Sequence, residues 1–326
     1  MKIKINKNKY PYFAAAILVL AAFFVSVWNF SKDAQPTFSA ATGLPNGPKV
    51  LGATVESLRG SEIGPSTTSP RKTSLGELDF NKVSAKSFSI IDESTGAVLF
   101  EKQPHLKLPI ASLTKLMTVL LAYERLNPDE AMEILPADEL NVEPSLNLKA
   151  GTEVKILDLM EATLVCSAND AARALANEVQ RQYGNKQTFV SLMNEKAQSL
   201  GLLETNFSNP LGFDSDYNFS TVADLEKLAF YTQGYGLFKS MGRKTEVSFL
   251  SADNRAFSCK ATNKLVGKNL EIEAIKTGYT QKALGSIIAR VTRDGKKLIV
   301  LLVGSEDREG DLLKLSEIAF ENFVWE

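Results

Sequence analysis

Residues 108–121 read LPIASLTKLMTVLL, and this stretch decides how the chain folds. Its apolar side chains recur at three- and four-residue spacings, at Leu113, Leu116, Met117, Leu120 and Leu121. That spacing places them on one face of an α-helix, which predicts burial along that face. Asn127-Pro128 ends the pattern, because proline does not continue a helix. The stretch therefore predicts a core helix that begins at Ser112.

Patterns typical of strands lie on both sides of this helical region. Residues 88–92 and 97–100 are short β-rich runs, and the four residues between them have the composition of a hairpin turn. Further strands are predicted at 272–277, 286–291 and 297–303, and further helices at 156–165, 170–182, 188–200, 222–232 and 311–322. Strands at both ends with helices between them predict an α+β domain with one antiparallel sheet.

The N-terminus has the pattern of a membrane segment. Four lysines, the last at Lys9, precede an uncharged and mostly apolar stretch over residues 11–30. Twenty helical residues span about 30 Å, the thickness of the hydrocarbon core of a bilayer. The lysines predict a cytoplasmic N-terminus and an extracytoplasmic domain. A cleaved signal peptide, with small residues at 39–41, is the alternative; we favour a retained anchor because the apolar stretch exceeds the usual signal-peptide core.

A linker is predicted between this anchor (residues 1–30) and the folded domain (residues 81–326). Ser, Thr, Pro and Gly fill 24 of the 50 positions in residues 31–80, and the apolar residues there follow no period. Such a segment buries too little surface to offset its ordering entropy, so it is predicted to be disordered. A flexible chain of this length has an r.m.s. reach of roughly 40 Å.

Composition argues against several classes of function. The 37 Lys and Arg residues balance 38 Asp and Glu residues, which leaves no basic field for nucleic-acid binding. With one histidine and two cysteines, no zinc site is expected, and no metal or cofactor is predicted.

Cys166 and Cys259 could pair in an exported chain, but two free buried thiols are the interpretation we favour. Sequence does not decide between them, because a disulfide depends on Cβ geometry.

Three short motifs carry candidate chemistry, and the first is Ser112-Leu113-Thr114-Lys115 at the start of the core helix. Residues three apart share a helix face, so the Lys115 amine can approach the Ser112 hydroxyl. A serine needs a base to become a nucleophile, and a buried lysine that is partly neutral can be that base. The same Ser-x-x-Lys pattern recurs at Ser69 and Lys72, but it lies in the predicted linker and is assigned no function.

The second motif is Ser167-Ala168-Asn169, at the junction of two predicted helices. Its hydroxyl could relay a proton to a leaving group, and its amide could bind substrate or orient Lys115. A Ser-x-Asn sequence by itself is usually a helix cap or a turn, and Ser145-Leu146-Asn147 is a second copy. The apolar helices on both sides favour the copy at Ser167.

The third motif, Lys276-Thr277-Gly278, ends a predicted strand. Lys276 could hold Ser167 and attract an anionic substrate, and Thr277 could bind a substrate carboxylate. Gly278 lets the backbone approach closely. A strand-end Lys-Thr-Gly alone is usually an exposed turn. The three motifs in this order, 55 and then 109 residues apart, are a much stronger signal.

With these motifs the sequence resembles the penicillin-binding proteins, specifically the low-molecular-mass serine D-Ala-D-Ala carboxypeptidases. The resemblance runs from about residue 82 to the end. It includes five further stretches, IDESTGAVL at 91–99, PIAS at 109–112, MNEKA at 193–197, NFSNPLG at 206–212 and TNKL at 262–265. The resemblance implies a β-lactamase/transpeptidase-like α+β fold, in which helices flank an antiparallel sheet and a second subdomain is all-helical.

The resemblance also implies a two-step acyl transfer on the stem peptide of peptidoglycan. Ser112, deprotonated by Lys115, would attack the carbonyl before the terminal D-alanine, and Ser167 would pass the proton to the departing amine. The backbone N–H groups of Ser112 and Tyr279 would form the oxyanion hole. Other implied substrate contacts come from Asn169, Lys276, Thr277, Gly278 and Arg308, the last in a carboxylate-binding segment. β-Lactams would be covalent inhibitors, and the enzyme would sit in the cell membrane with its catalytic domain outside.

The sequence departs from the family pattern at three positions near these motifs. Cys166 stands where proline is frequent, Tyr279 where histidine or an aromatic residue is common, and Asn218 where the segment often begins with histidine. None of these departures removes a group that the implied mechanism needs. His105, seven residues before the nucleophile, is predicted to lie on a surface loop.

Three alternatives to a carboxypeptidase can be weighed on the sequence. A class A β-lactamase would need a glutamate four residues before an asparagine between the second and third motifs, and residues 208–214 contain none. A D,D-endopeptidase that cuts peptide cross-links uses the same chemistry and stays open. A non-catalytic peptidoglycan-binding module stays open too, although a decayed site would usually have lost a polar group.

Overall fold

A five-stranded antiparallel sheet organises the part of the chain that the computed structural model describes, residues 70–72, 80, 82–183, 187–268 and 271–325. In spatial order its strands are β10 (Ile272–Thr280), β11 (Leu284–Arg293), β12 (Lys296–Ser305), β2 (Ser87–Asp92) and β3 (Val98–Lys102). All neighbouring pairs run antiparallel. Strands from both ends of the chain therefore share one sheet, as the sequence predicts.

Each face of the sheet has its own hydrophobic core, because successive side chains of a strand point to opposite faces. On β11, Ile287 and Ala289 pack with Leu312 and Leu315 of helix α7 (Arg308–Asn322). Ile288, between them, belongs to the larger core that contains the central helices. Helices thus cover both faces of the sheet, which confirms the predicted α+β architecture.

The central helices pack around α1 (Lys115–Arg125), which is buried from Lys115 to Ala122. They are α2 (Ile156–Glu161), α3 (Asn169–Tyr183), α4 (Phe189–Ser199), α5 (Val222–Gln233) and α6 (Gly236–Met241). Of these, α2, α3, α4 and α5 lie against α1. The predicted helix start at Ser112 is wrong in one respect, because residues Ala111–Thr114 form a 3₁₀ turn and the α-helix begins at Lys115. Tighter 3₁₀ turns are frequent at helix N-termini, and periodicity does not separate the two forms.

Three small two-stranded sheets complete this region. They pair β4 (Leu108–Pro109) with β7 (Phe219–Ser220), β5 (Ala131–Glu133) with β6 (Glu153–Lys155), and β8 (Glu246–Leu250) with β9 (Ala256–Lys260). The β8–β9 hairpin is absent from the sequence prediction, since its strands are only five residues long and half exposed. It matters because β9 lies against residues Ala162–Cys166, which precede the second motif.

The described chain begins with β1 (Arg71–Lys72), which pairs with β13 (Phe323–Val324) near the C-terminus. Both residues of β1 fall in the range predicted as a disordered linker. Phe80 also belongs to that range, and its ring packs 5.4 Å from the ring of Phe88. These parts of the linker are therefore ordered, because the C-terminal strand and the sheet supply partners that local composition does not reveal.

The predicted membrane anchor at residues 11–30, and the linker up to residue 69, lie outside the described residues. Within the described ranges, no helix combines the length and the apolar character that crossing a bilayer requires.

Candidate active site

The first motif sits in the 3₁₀ turn and the first residue of α1. Lys115 is completely buried, and its Nζ donates hydrogen bonds to the Ser112 Oγ at 2.9 Å and to the Leu211 carbonyl oxygen at 2.6 Å. The predicted approach of the two side chains is therefore present. Burial lowers the pKa of Lys115 from 10.5 to about 7. A substantial fraction of the amine is then neutral near pH 7, as a general base must be.

The loop that follows α4, residues 208–218, supplies the second acceptor for Lys115. Asn209 holds the turn, because its Oδ1 accepts hydrogen bonds from the N–H groups of Leu211, Gly212 and Phe213. Gly212 has a φ of +82°, and a Cβ there would collide with the backbone of Ala111. Only glycine allows this close approach. The loop therefore carries the Leu211 carbonyl directly against the start of α1.

Asn218 joins this loop to the first motif from its other end. It is 2% exposed, its Nδ2 donates to the Thr114 Oγ1 at 3.0 Å, and its Oδ1 accepts from the Ser208 N–H at 3.1 Å. The sequence analysis noted Asn218 only as a departure from a family pattern. Neither Leu211 nor Asn209 was singled out, although the Asn-Pro-Leu-Gly turn that contains them was part of the resemblance.

Ser167 lies where a five-residue π-helix, Ala162–Cys166, ends after α2. Its φ of 62° is in the left-handed region, which is strained for a residue other than glycine. The side chain is buried, and among the described residues its Oγ has no hydrogen-bond partner. π-Helical turns and strained backbone are both frequent at functional sites. The Ser167 hydroxyl thus has no internal hydrogen bond that would compete with a ligand.

Asn169 and Asp170, at the start of α3, fasten the loop that contains the other Ser-x-Asn sequence. The Asn169 Nδ2 donates to the Val142 carbonyl at 3.0 Å, and the Asp170 carboxylate accepts from the Ser145 Oγ and from the Leu146 N–H. Ser145 therefore belongs to a structural turn, as the sequence analysis assumed. The Asn169 amide is engaged with that loop, and in the described structure no hydrogen bond joins it to Lys115.

The third motif lies on β10, the edge strand of the sheet, beside the first motif. A Cβ at Gly278 would come within 2.9 Å of the Ile110 carbonyl oxygen and 3.0 Å of the Ser112 N. Lys276 is buried, and its Nζ donates to the Thr277 carbonyl at 3.0 Å. Burial, and then the positive charges of Lys115 and Arg308, hold the pKa of Lys276 well below 10.5. Three basic side chains, Lys115, Lys276 and Arg308, therefore converge on one site.

Arg308 lies beside this strand and is not a solvated surface charge, since its side chain is 14% exposed. Its guanidinium donates to the carbonyl oxygens of Gly278 and Thr262, both at 3.1 Å. The Thr277 Oγ1 and the Thr262 Oγ1 lie 2.5 Å apart. Tyr279, the next residue on β10, is 64% exposed and forms part of the rim. Thr262 is a contact residue that the sequence analysis did not identify individually.

His105 is exposed, and its Nδ1 lies 2.6 Å from the Glu204 Oε2. This arrangement agrees with the predicted surface histidine.

The two cysteines correct a sequence expectation. Cys166 and Cys259 form a disulfide, so the expectation of two free thiols is wrong. They are 93 residues apart in the chain. The β8–β9 hairpin, which the sequence analysis did not predict, brings Cys259 against the π-helix, and only this tertiary contact makes the pairing possible.

A buried lysine bonded to a serine hydroxyl, at the edge of a sheet flanked by helices, defines a serine hydrolase that works by acyl transfer. The sequence pattern of the D-alanyl-D-alanine carboxypeptidases, peptidase family S11, matches residues 72–307. The chain belongs to this family of serine peptidases.

Individual relatives show how far the likeness extends. D-alanyl-D-alanine carboxypeptidase DacF of Bacillus subtilis is 27% identical over 73% of this chain, and the match spans 63% of DacF. D-alanyl-D-alanine endopeptidase of Pseudomonas aeruginosa is 32% identical over 68% of this chain and 72% of its own length. Among solved structures, penicillin-binding protein D2 of Listeria monocytogenes with bound ampicillin gives a TM-score of 0.62 at 29% identity, covering 73% of this chain and 98% of that one.

Proposed function

We propose that this protein is a serine-type D-Ala-D-Ala carboxypeptidase that removes the terminal D-alanine from stem peptides of peptidoglycan. The observation that carries the proposal is the pair of hydrogen bonds from Lys115 to Ser112 and to the Leu211 carbonyl. They hold a lysine with a pKa of about 7 against a serine hydroxyl. Family membership supports the same reaction.

In the acylation step, the neutral Lys115 amine accepts the Ser112 proton while the Ser112 Oγ bonds to the carbonyl carbon. The carbonyl oxygen becomes negative and is stabilised by the backbone N–H groups of Ser112 and Tyr279. Gly278 permits this arrangement, because a Cβ there would press on the Ser112 N. When the intermediate collapses, the C–N bond breaks and the D-alanine amine needs a proton.

Ser167 supplies that proton through its hydroxyl, which has no hydrogen-bond partner in the described part of the chain. The proton that Lys115 took up then replaces the one that Ser167 gave. In the second step, Lys115 takes a proton from the water that attacks the acyl-enzyme and gives it to the Ser112 Oγ as the ester bond breaks. The products are the shortened peptide and free D-alanine, and the enzyme returns to its initial state.

Substrate binding rests on the cationic side of the site. The Arg308 guanidinium supplies positive charge, Lys276 supplies an amine, and Thr277 supplies a hydroxyl for the terminal carboxylate. Asn169 binds the peptide from the opposite side, where its Oδ1 stays available while its Nδ2 donates to Val142. Penicillin and other β-lactams acylate Ser112 in the same geometry. No metal, cofactor or nucleic acid takes part.

We place the domain outside the cytoplasm, held to the cell membrane through residues 11–30 as a single-pass anchor with a linker behind it. The lysines before the anchor and its 20-residue length support this topology. The Cys166–Cys259 disulfide supports it as well, since disulfides persist mainly in oxidising compartments.

A D,D-endopeptidase is the second candidate, because the Pseudomonas aeruginosa relative carries that name. The two activities use the same catalytic groups, and they differ in which peptide substrate the site accepts. The purified chain should be offered a stem pentapeptide and, separately, a cross-linked peptide dimer. Release of D-alanine without cleavage of the dimer supports the carboxypeptidase, and the reverse result supports the endopeptidase.

Covalent labelling with a fluorescent penicillin completes that experiment. A labelled chain that turns over neither peptide would retain its nucleophile but have another substrate. A chain with neither turnover nor label would be a peptidoglycan-binding module, and the proposed function would be wrong.

A further inference from the structure

Residues 259–262, at the end of β9 and just beyond it, touch both sides of the candidate site. We name them the cross-site segment. On the Ser167 side, Cys259 is bonded to Cys166, the residue immediately before Ser167. Thr262 adds a second attachment there, because its N–H donates to the Val165 carbonyl at 3.2 Å. The cross-site segment is therefore bonded to both residues that precede Ser167, Val165 and Cys166.

The same segment is fixed to the strand that carries Lys276, Thr277 and Gly278. The Thr262 Oγ1 lies 2.5 Å from the Thr277 Oγ1, and the Thr262 carbonyl accepts a hydrogen bond from Arg308. The Ala261 N–H donates to Thr245, next to β8. The cross-site segment thus connects the residues before Ser167 to strand β10, and one of these connections, the disulfide, is covalent.

Ser167 depends on such support more than Ser112 does. Its own hydroxyl has no hydrogen-bond partner in the described structure, so the side chain does nothing to hold the residue in place. Its backbone is in the left-handed region after a π-helix, a conformation that a serine keeps only when the surroundings enforce it. The position of the hydroxyl is therefore set by the backbone, through the Ser167 N–H, which donates to the Ala162 carbonyl, and through the preceding residues Val165 and Cys166.

We infer that the Cys166–Cys259 disulfide is a positioning device for Ser167, which holds the hydroxyl where it can protonate the leaving group. The inference rests on the proposed function, in which Ser167 relays that proton. The substrate-binding groups on β10 remain attached through Thr262 and Arg308 without the disulfide. Loss of the disulfide should therefore lower kcat and leave KM unchanged.

The test replaces both cysteines, as Cys166→Ala/Cys259→Ala, and measures the rate constant for acylation by fluorescent penicillin together with kcat and KM for the pentapeptide. We expect acylation and kcat to fall about tenfold, since displacing a catalytic group by around an ångström has effects of this order or larger. The matched control is Ser258→Ala, an exposed position on the same strand, which should leave all three quantities unchanged.

A merely structural role is separated from positioning by repeating the measurement in a Ser167→Ala background. If the disulfide acts through Ser167, its removal there changes the acylation rate by less than about twofold, because two changes on one pathway are not additive. An equal loss in both backgrounds, or an unchanged kcat in the disulfide-free enzyme, overturns the inference. Acylation is followed to long times so that slow variants remain measurable.

Should the disulfide-free variant fail to fold, the wild-type chain is reduced with a phosphine, which converts the disulfide to two thiols as the phosphine is oxidised. Cys259 is partly exposed and offers the sulfur for attack. Two titratable thiols with a slower acylation in wild type, and no slowing in Ser167→Ala, support the inference; full activity of the reduced enzyme contradicts it. Failure of the proposed function looks different, because the oxidised wild type would then already be inactive on peptides.

Discussion

Ser112 and Ser167 carry the same hydroxyl group, yet the structure holds them by different means. Ser112 lies in a short turn against α1, where Lys115 bonds its hydroxyl and the 208–218 loop supports Lys115 from behind. Ser167 has no hydrogen-bond partner for its hydroxyl among the described residues and is held through its backbone, by a disulfide and the Thr262 contact. The Ser112 side chain is positioned by hydrogen bonds to its hydroxyl, whereas Ser167 is positioned through bonds to its backbone and to the neighbouring residue.

The difference fits the different tasks that we propose. A nucleophile needs its base in permanent contact, because proton removal begins the reaction. A relay group must instead keep its hydroxyl available until a leaving group arrives. An internal hydrogen bond would compete with the ligand, so the residue is positioned without one. The comparison therefore predicts large effects at the Ser112 side chain and its base, and smaller ones at groups that act through others.

The largest effect is expected for Ser112→Ala, which removes the nucleophile. Covalent labelling by fluorescent penicillin should disappear, a loss of at least about 10⁴-fold in acylation. The matched control is Ser69→Ala, in the second Ser-x-x-Lys sequence, which should label as the wild type does. Label that survives in Ser112→Ala would exclude Ser112 as the acylated residue.

Lys115→Ala should reduce acylation by about 10³-fold while the fold stays intact, because general-base catalysis is worth roughly 10²–10⁴. In the wild type the base must be neutral, so the acylation rate should rise as the pH increases through about 7 and level off above it. The variant should lose this pH dependence. A near-normal rate in Lys115→Ala, or a flat wild-type profile between pH 5 and 9, would remove Lys115 as the base.

Ser167→Ala should lower acylation by about 10²-fold, since it removes a proton relay but leaves the nucleophile and its base in place. Ser145→Ala, in the second Ser-x-Asn sequence, is the control. It loses the hydrogen bonds that the Ser145 Oγ makes with Asp170, Leu140 and Asn147, and should cost about 1–3 kcal/mol in the free energy of unfolding with an unchanged acylation rate. Equal rates for the two variants would contradict the different roles assigned to them.

The smallest effect is expected at Asn218, which acts on the Ser112 side through Thr114. Asn218→Ala should lower the acylation rate about tenfold, because the hydrogen bonds that align the start of α1 with the 208–218 loop are lost. Denaturant unfolding should show a loss of about 1–2 kcal/mol for the buried hydrogen bonds. Combining it with Thr114→Val, which removes the other partner of the same bond, should add little. Additive losses would show that the Asn218–Thr114 bond is not the cause.

Sequence predicted well wherever the signal is local. The five further helices and three late strands named from periodicity all occur, with ends shifted by a few residues. The first and third motifs lie side by side, since a Cβ at Gly278 would come within 3.0 Å of the Ser112 N. Prediction failed where the partner is distant. The pairing of Cys166 with Cys259 depends on a hairpin whose strands are too short to give a clear pattern. The order found at Arg71–Lys72 likewise depends on a strand more than 250 residues away.

The sequence by itself determined which groups are present and which elements carry them: a serine and a lysine three residues apart at the start of a core helix, a second serine at a helix junction, and a lysine on a strand. Tertiary structure decided what surrounds those groups. Burial brings the pKa of Lys115 to about 7, and the Leu211 carbonyl, 96 residues later in the chain, accepts a hydrogen bond from the Lys115 Nζ. The cross-site segment is bonded to the residue before Ser167. The physical reason is the separation along the chain over which each kind of interaction acts. Periodicity and spacing report forces between neighbours in the chain, whereas desolvation and contacts between distant segments exist only after the chain has folded.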